Sequence, residues 1–142
     1  MQLTGLPPSQ GGLSAEQVRG LLAAGWELDT QGFTHADLPT LGPARLAYEV
    51  AISRQRIQRN YGVPVNWFCY PSGHYDQRVV DTVKAAGYRG STTVIFGWGS
   101  PADTYRLARL RVLGGTSPQA LVAQVLANRT DPPPPDAYPP GA

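Results

Sequence analysis

The stretch "VPVNWFCYPSGHYDQRVVDTVKAAGYRGSTTV", residues 63–94, decides the fold. Its first eight residues are apolar and aromatic, which is typical of a buried strand. "PSGHYD" predicts a turn, and Asp76 is placed to cap a helix that ends before Gly87. "YRGSTTV" predicts a second strand. A strand, a helix and a strand in this order imply parallel pairing, with the helix outside and a right-handed crossover.

The segments before this unit continue the alternation. "LSAEQVRGLLAAG", residues 13–25, predicts a helix with Ser14 as N-cap, Gln17 at the capping-box position and Gly25 as the stop. "WELD", residues 26–29, predicts a short strand, and the polar "TQGFTHAD" predicts the loop at its carboxyl end. A long helix is predicted over 43–61 because a proline opens it, its apolar residues share one face and a glycine follows it.

After the central unit, "FGWGSPADT" predicts a loop over 96–104 and "RLARLRVL" predicts a fourth strand over 106–113. Ser117 and Pro118 predict the start of a last helix that reaches about Ala127. In parallel α/β folds, ligands bind at the carboxyl ends of the strands. Two of the loops expected at that edge contain the chain's two histidines, His35 and His74.

A sheet of three or four parallel strands leaves open edges. The pattern is typical of the later part of a larger α/β barrel, with parallel strands, outer helices and the first strands missing. We therefore expect marginal stability and self-association through the exposed barrel edge.

Composition excludes several classes of protein. The net charge of +2 and the scattered basic residues argue against nucleic-acid binding, and the arginines at 54, 56 and 59 fit a solvated helix face. Cys69 is the only cysteine, so no internal disulfide forms, and its apolar surroundings favour an inert thiol. No stretch is long and apolar enough for a membrane segment.

The two ends of the chain differ from its middle. Residues 1–12 predict an irregular segment without the basic and apolar regions of a signal peptide. The tail "DPPPPDAYPPGA", residues 131–142, predicts an extended and disordered segment because proline lacks the N–H donor and fixes φ. Residues 13–130 then form the folded domain. The compartment is left open by these features.

Three stretches resemble, in this order and spacing, the latter portion of the polysaccharide deacetylase family. They are "LSAEQVRGLLAAGWELDTQGFTHADLPTL", "NWFCYPSGHYDQRVVDTVKAAGYRGSTT" and "YRLARLRVLGG". The most specific parts are "THADL" and "FCYPSGHYD", and the closest form is the bacterial subgroup with a Tyr-Pro-x-Gly-x-Tyr-Asp motif. The resemblance covers roughly residues 13–126. The members of this family are carbohydrate esterases of the chitin and peptidoglycan deacetylase type, and the resemblance implies the same class for this protein.

The resemblance implies a distorted (β/α) barrel that removes acetyl groups from N-acetylated poly- or oligosaccharides. It also implies a divalent metal, usually zinc, bound by one aspartate and two histidines. The family's paired metal-ligand histidines fall on Gln31 and His35. Its Arg-x-Pro-Tyr-Gly motif falls on Cys69 to Gly73, which makes Tyr70, Pro71, Ser72 and Gly73 expected wall residues of the substrate groove. A backbone N–H near Ser72 would help to form an oxyanion hole. Members are often exported or found in the cell envelope.

The chain departs from the family pattern at several positions. The sequence contains no Thr-Phe-Asp-Asp motif, which carries the catalytic base and one metal ligand in the family. Gln31 replaces a histidine, and an amide oxygen binds zinc less well than imidazole does. Cys69 replaces an arginine, and "LRV" from Leu110 stands near the expected position of the late Leu-x-His motif. We therefore expect weak or absent metal binding and a catalytic site that is incomplete in this chain.

Three further residues are candidates with an open alternative each. Asp29 shares strand parity with Gln31, so it is a candidate substitute ligand or base, or a residue that hydrogen-bonds nearby backbone. His74 is a candidate acid or substrate contact, or a solvated loop residue. Trp98 is a candidate sugar-stacking residue, or a packing residue.

Two classes of function follow, an incomplete hydrolase domain of the deacetylase type and a non-catalytic remnant that binds sugar or a partner. A third class, a flavodoxin-like binding domain, would need a phosphate-binding Gly-rich turn that opens a helix, and the sequence has none in the required place.

Overall fold

The fold is known from a computed structural model that describes residues 12–129 and 132–141. Four α-helices and three strands follow one another in the described part of the chain. In order, these are α1 (Ala15–Ala23), α2 (Pro43–Tyr61), β1 (Trp67–Cys69), α3 (Gln77–Ala85), β2 (Gly90–Phe96), β3 (Leu107–Arg109) and α4 (Pro118–Ala127). Two short 3₁₀ turns, Leu38–Thr40 and Pro71–Gly73, lie before α2 and after β1.

The three strands form one parallel sheet in the order β1-β2-β3. Phe68 in β1 is paired with Ser91 in β2, and Thr92 in β2 is paired with Leu107 in β3. This arrangement confirms the predicted fold class, a partial α/β barrel with parallel strands and outer helices. None of the helices among the described residues combines the length and the apolar character needed to cross a membrane.

The predicted helix ends are confirmed where capping residues define them. Ser14 and Gln17 make the reciprocal capping-box bonds at the start of α1, with Gln17 N–H to Ser14 Oγ at 3.1 Å and Ser14 N–H to Gln17 Oε1 at 2.8 Å. Asp76 caps α3 by accepting the Val79 N–H at 2.8 Å. Gly62 ends α2 at φ +68°, a left-handed conformation that costs glycine little because it lacks a Cβ.

The core lies between the sheet and the pair of helices α2 and α3. Three tyrosines and a phenylalanine from the strands and turns fill its centre, and Val, Leu and Ile residues from the helices surround them. The buried members are Leu38, Leu46, Val50, Ile57, Val65, Phe68, Tyr70, Tyr75, Val79, Val80, Val83 and Tyr88. The burial of each large side chain contributes about 1.5–3 kcal/mol, so this layer holds the carboxyl ends of β1 and β2 in place.

The predicted strand at "WELD" is wrong. Within this region only Thr30 forms a strand-like bridge, parallel to Phe68, with the Cys69 N–H bonded to the Thr30 carbonyl at 2.9 Å. The Asp29 carboxylate, rather than a backbone carbonyl, accepts the N–H groups of Asn66 and Trp67 at 3.0 and 2.9 Å. A side chain therefore takes the place of the ladder that a strand would need here.

The described part of the Pro-rich tail is extended, but it is paired with the domain. The backbones of Tyr75 and Tyr138 exchange two hydrogen bonds of 2.9 and 2.8 Å, and the Tyr75 hydroxyl donates to the Pro135 carbonyl at 2.7 Å. This pairing differs from the predicted disorder because Tyr138 supplies the N–H that the surrounding prolines lack. The predicted irregular segment 1–12 lies outside the described residues except for its last position.

Candidate functional site

A buried carboxylate holds the loop that carries His35. Glu49 of α2 has no exposed side-chain surface, and its Oε2 accepts the N–H groups of Phe33 and Thr34 at 2.9 and 2.8 Å. Its Oε1 accepts the Thr34 hydroxyl and the Arg45 guanidinium, both at 2.7 Å. Bonds to an ionised acceptor are stronger than neutral ones, so the backbone just before His35 is fixed against the helix.

Two residues other than glycine have positive φ in the described part of the chain, and both lie in the candidate site. His35 has φ +63° and Ser72 has φ +54°. L-residues adopt this left-handed conformation at a cost, and such strain is found preferentially at functional sites. The two strained positions lie in the two loops that the sequence predicted to meet at the carboxyl ends of neighbouring strands.

Those two loops are in contact. A Cβ built on Gly32 would lie 3.7 Å from Pro71 Cγ, which places the first loop directly beside the 3₁₀ turn. Farther along, Asp37 Oδ1 lies 3.1 Å from His74 Nδ1, with both side chains mostly buried. The structure therefore brings the His35 loop and the Pro71–Gly73 turn together, and the Asp37–His74 pair connects them.

The Pro71–Gly73 turn presents one backbone donor. The Gly73 and His74 N–H groups are bonded to the Tyr70 and Pro71 carbonyls at 2.9 and 3.0 Å. The Ser72 N–H has no acceptor among residues 12–129 and 132–141, and Ser72 is the exposed residue of the turn. Burial of the turn and of the Tyr70 side chain leaves Ser72 as the position from which this segment can donate to a bound ligand.

Tyr70 lies in the core. Its ring has no exposed surface, stacks on Tyr75 at 4.9 Å between centroids, and burial raises the pKa of its hydroxyl. The hydroxyl donates to the Tyr105 carbonyl at 2.8 Å. The predicted substrate contact at Tyr70 therefore has no exposed side chain to make it.

The Asp29 carboxylate is hydrogen-bonded to the backbone at the start of β1. Burial raises the pKa of its carboxyl, and the hydrogen bonds from Trp67 and Asn66 oppose that rise without cancelling it. Because Oδ1 accepts both N–H groups at the start of β1, the structure favours the backbone-bonding alternative for Asp29 over a ligand role.

Trp98 packs against α4. Its indole Nε1–H donates to the Val125 carbonyl at 2.9 Å, and the Arg129 guanidinium lies over the ring at 5.4 Å from the centroid. One face of the ring is therefore covered by a cation, although nearly half of the residue is exposed. A sugar ring could stack only on the face of the Trp98 indole that Arg129 does not cover.

The donor set of the described residues does not fit a catalytic zinc ion. Such a site takes three protein ligands, and no group of three His, Cys, Asp or Glu residues comes together within the described ranges. Gln31 and His35 offer one amide oxygen and one imidazole. A third ligand would have to come from outside this pair, because the described residues hold no group of three such side chains.

Sequence reasoning missed two features of this region, the role of Glu49 and the pairing of Asp37 with His74. Glu49 was detectable, because it lies on the same helix face as Leu46, Val50 and Ile57. A glutamate on an apolar face needs a buried partner. The Asp37–His74 contact joins residues 37 apart, and no local pattern in the sequence indicates it.

The fold places the protein in the class of partial α/β barrels with parallel strands and outer helices. The profile described as Polysaccharide deacetylase matches residues 8–91. The chain belongs to the polysaccharide deacetylase family.

Solved structures support this assignment at the level of the fold. The Streptococcus pyogenes deacetylase PplD, solved in complex with acetate, is similar with a TM-score of 0.79 and 23% identity, over 87% of this chain and 56% of that chain. BC0361, a polysaccharide deacetylase from Bacillus cereus, is similar with a TM-score of 0.71 and 25% identity, over 80% of this chain and 36% of that chain.

A relative is also found by sequence. The uncharacterized protein YlxY of Bacillus subtilis (strain 168) is 27% identical over 110 residues, which cover 76% of this chain and 33% of that protein. The chain therefore spans between a third and just over half of the length of these relatives.

Proposed function

We propose that this domain belongs to a hydrolase of carbon–nitrogen, non-peptide bonds that removes acetyl groups from an N-acetylated carbohydrate. The chain supplies part of the catalytic site, comprising the His35 loop and the Ser72 turn. It lacks the family's base-bearing segment, so we expect it to be inactive alone. The observation that carries the proposal is the pair of strained residues, His35 and Ser72, in two loops that touch.

The chemistry assigns a role to each of these loops. In de-N-acetylation, water adds to the acetyl carbon, negative charge develops on the carbonyl oxygen, and the C–N bond breaks to give acetate and an amine. The Ser72 N–H belongs to the exposed residue of the turn and is suited to stabilise the developing charge. His74 is held at Nδ1 by Asp37, which leaves Nε2 to protonate the leaving amine. The base that activates water has no candidate with a free, well-placed carboxylate among the described residues.

The divalent metal expected from the family would need ligands from the side chains of this chain. His35 and Gln31 would provide two of the ligands, and the described residues hold no group of three His, Cys, Asp or Glu side chains that could complete the site. Gln31 would make the site weaker than one with two histidines. We therefore expect weak or absent divalent metal binding by this chain, with zinc as the ion to test.

A second candidate function is a non-catalytic domain that binds N-acetylated carbohydrate or a partner. The incomplete donor set favours it, because a site without a base or a third ligand retains only its binding groups. Both candidates share the contact between the N-acetyl group and the Ser72 turn. They differ in whether the chain binds zinc through His35, as a deacetylase domain should and a binding-only domain should not.

The shared contact is tested by titrating ¹⁵N-labelled protein with the tetrasaccharide of N-acetylglucosamine. The amide signals of Ser72, Gly73 and His35 should shift with saturation. The tetrasaccharide of glucosamine has amines in place of the acetamides. At a pH at which these amines are mostly uncharged it is the control, and it should leave the signals unchanged.

Two variants strengthen the test. Ser72→Gly retains the N–H and suits the positive φ, so it should respond like the wild type. Ser72→Pro removes the N–H and should abolish the response, but it also forces φ to about −65° and reshapes the turn, so amide signals outside the turn must first show that the rest of the domain is unchanged. Equal shifts with both sugars, or a full response in Ser72→Pro, would contradict the proposed role of this turn. Zinc binding that is lost in His35→Ala then separates the two candidates.

A further inference from the structure

A cavity of about 280 Å³ opens beside the candidate site, at the carboxyl end of β3. It is lined by Val94, Arg109, Leu110 and Arg111. Val94 lies in β2, and its methyl groups occupy the space that a Cβ on Gly73 would need. The wall of this cavity is therefore in contact with the Pro71–Gly73 turn.

The two arginines of the cavity are not neutralised by neighbours. Arg109 donates from Nε to the Thr93 carbonyl at 2.6 Å, a contact that fixes the guanidinium but leaves its charge unpaired. Neither Arg109 nor Arg111 forms an ion pair within the described ranges, and both residues are exposed. The stretch 104–130 contains no Asp or Glu at all.

The remaining lining is apolar. Val94 and Leu110 supply hydrocarbon surface next to the two cations. A guanidinium presents planar, paired donors that match a carboxylate bidentately, and its weak hydration suits a partly apolar site. The cavity thus combines charge and surface for an organic anion rather than for a neutral sugar alone.

We propose that Arg109 and Arg111 form a carboxylate-binding subsite, and that the carbohydrate bound at the Ser72 turn carries a carboxylate on a neighbouring sugar unit. This inference rests on the proposed function for the location of the sugar. It adds the substrate class, an acidic N-acetylated oligosaccharide. The charge in the cavity carries the proposal, and the contact between Val94 and Gly73 connects it to the site.

The experiment compares two tetrasaccharides of equal length by amide-shift titration at low salt. One contains N-acetylglucosamine alone, and the other alternates N-acetylglucosamine with glucuronic acid. Sodium acetate at the same concentration is the third probe. We expect the acidic tetrasaccharide to bind about tenfold tighter than the neutral one, and acetate alone to bind far more weakly than either.

Variants assign the preference to the cavity. Arg109→Gln and Arg111→Gln together should abolish the tenfold preference, and Arg111→Lys should retain part of it because the charge remains. Arg59→Gln, an exposed arginine on α2, is the matched control and should leave the preference intact. The amide spectrum of each variant shows directly whether it is folded.

The outcomes separate this inference from the proposed function. Equal binding of the two tetrasaccharides, or a preference that survives in the double variant, would overturn the subsite and leave the Ser72 contact standing. An arginine-dependent preference without any response to the neutral sugar would support the subsite and contradict N-acetyl recognition. Failure of both sugars to bind contradicts both, and a response to acetate equal to that of the acidic sugar shows a simple anion site and overturns the proposal.

Discussion

Replacement of Glu49 is expected to release the loop that carries His35. Glu49→Ala leaves three loop donors without their acceptor, namely the two N–H groups of Phe33 and Thr34 and the Thr34 hydroxyl. Hydrogen bonds to a charged group contribute about 1.5–3 kcal/mol each when buried. These donors are only half-buried and belong to one network, so part of that loss is recovered by water and the losses do not add.

We therefore expect Glu49→Ala to lower the free energy of unfolding by about 3 kcal/mol. Glu49→Gln keeps the shape and one acceptor oxygen, and should cost about 1–2 kcal/mol. The Arg45 side chain is 52% exposed, so its ion pair with Glu49 is screened by solvent. Arg45→Ala, which removes only this exposed pair, should cost less than about 1 kcal/mol and is the control.

Urea unfolding followed by tryptophan fluorescence measures these differences, and amide hydrogen exchange locates them. In Glu49→Ala the amides of Phe33 and Thr34 should exchange at least about tenfold faster, as expected for the loss of 1.4 kcal/mol or more locally. The Val79 amide, capped by Asp76 on α3, should exchange at its original rate. If Glu49→Ala costs no more than Arg45→Ala, or if exchange accelerates equally at all three amides, Glu49 does not specifically hold the loop.

Three other predictions concern the tail, the pH response and the open sheet. Tyr75→Phe removes the 2.7 Å bond to the Pro135 carbonyl and should lower the free energy of unfolding by about 1 kcal/mol; an unchanged urea midpoint would show that the tail contributes nothing. Burial alone would raise the pKa of Asp103, but the hydrogen bond and charge of Arg106 outweigh it and lower that pKa. The Asp103–Arg106 pair therefore stabilises the fold above the unfolded-state pKa of Asp103, and this stabilisation is lost as the pH falls through the folded-state pKa. Asp103→Asn should make the free energy of unfolding decline less steeply below about pH 4. The same decline in the variant and the wild type would contradict this. Phe96 is 43% exposed on the open sheet, so Phe96→Lys should shift a concentration-dependent sedimentation profile toward monomer, and a wild type that stays monomeric at every concentration would remove the basis for self-association.

The parts of the fold that sequence predicted correctly are those with a local cause. The ends of α1 and α3 follow from Ser14 and Asp76, whose side chains bond to the N–H groups within the next turn. Parallel pairing followed from the order of a strand, a helix and a strand. The capping signals act within a few residues. The pairing follows because a strand, a crossover helix and a strand pack almost always as a right-handed parallel unit.

The parts that sequence did not predict depend on contacts between distant segments. A strand at "WELD" was a reasonable inference from pattern, but the Asp29 carboxylate bonds to backbone 37 and 38 residues later and replaces the ladder. Tyr138 lies in a run of prolines, and its partner Tyr75 belongs to the core. In both cases one hydrogen-bonding group determines the local structure, although the flanking residues favour a different one. Because its partner is distant in sequence, local composition does not indicate the contact.

The most direct test of the central claim is a zinc titration by calorimetry of three proteins: the wild type, His35→Ala and Gln31→His. The claim is that His35 stands at a metal-ligand position of a deacetylase whose second ligand has been replaced by Gln31. It predicts weak zinc binding by the wild type, no binding by His35→Ala, and binding by Gln31→His that is tighter than the wild type by about tenfold or more, because imidazole is a better zinc ligand than an amide. Binding that is the same in all three proteins, or no gain in Gln31→His, would contradict it.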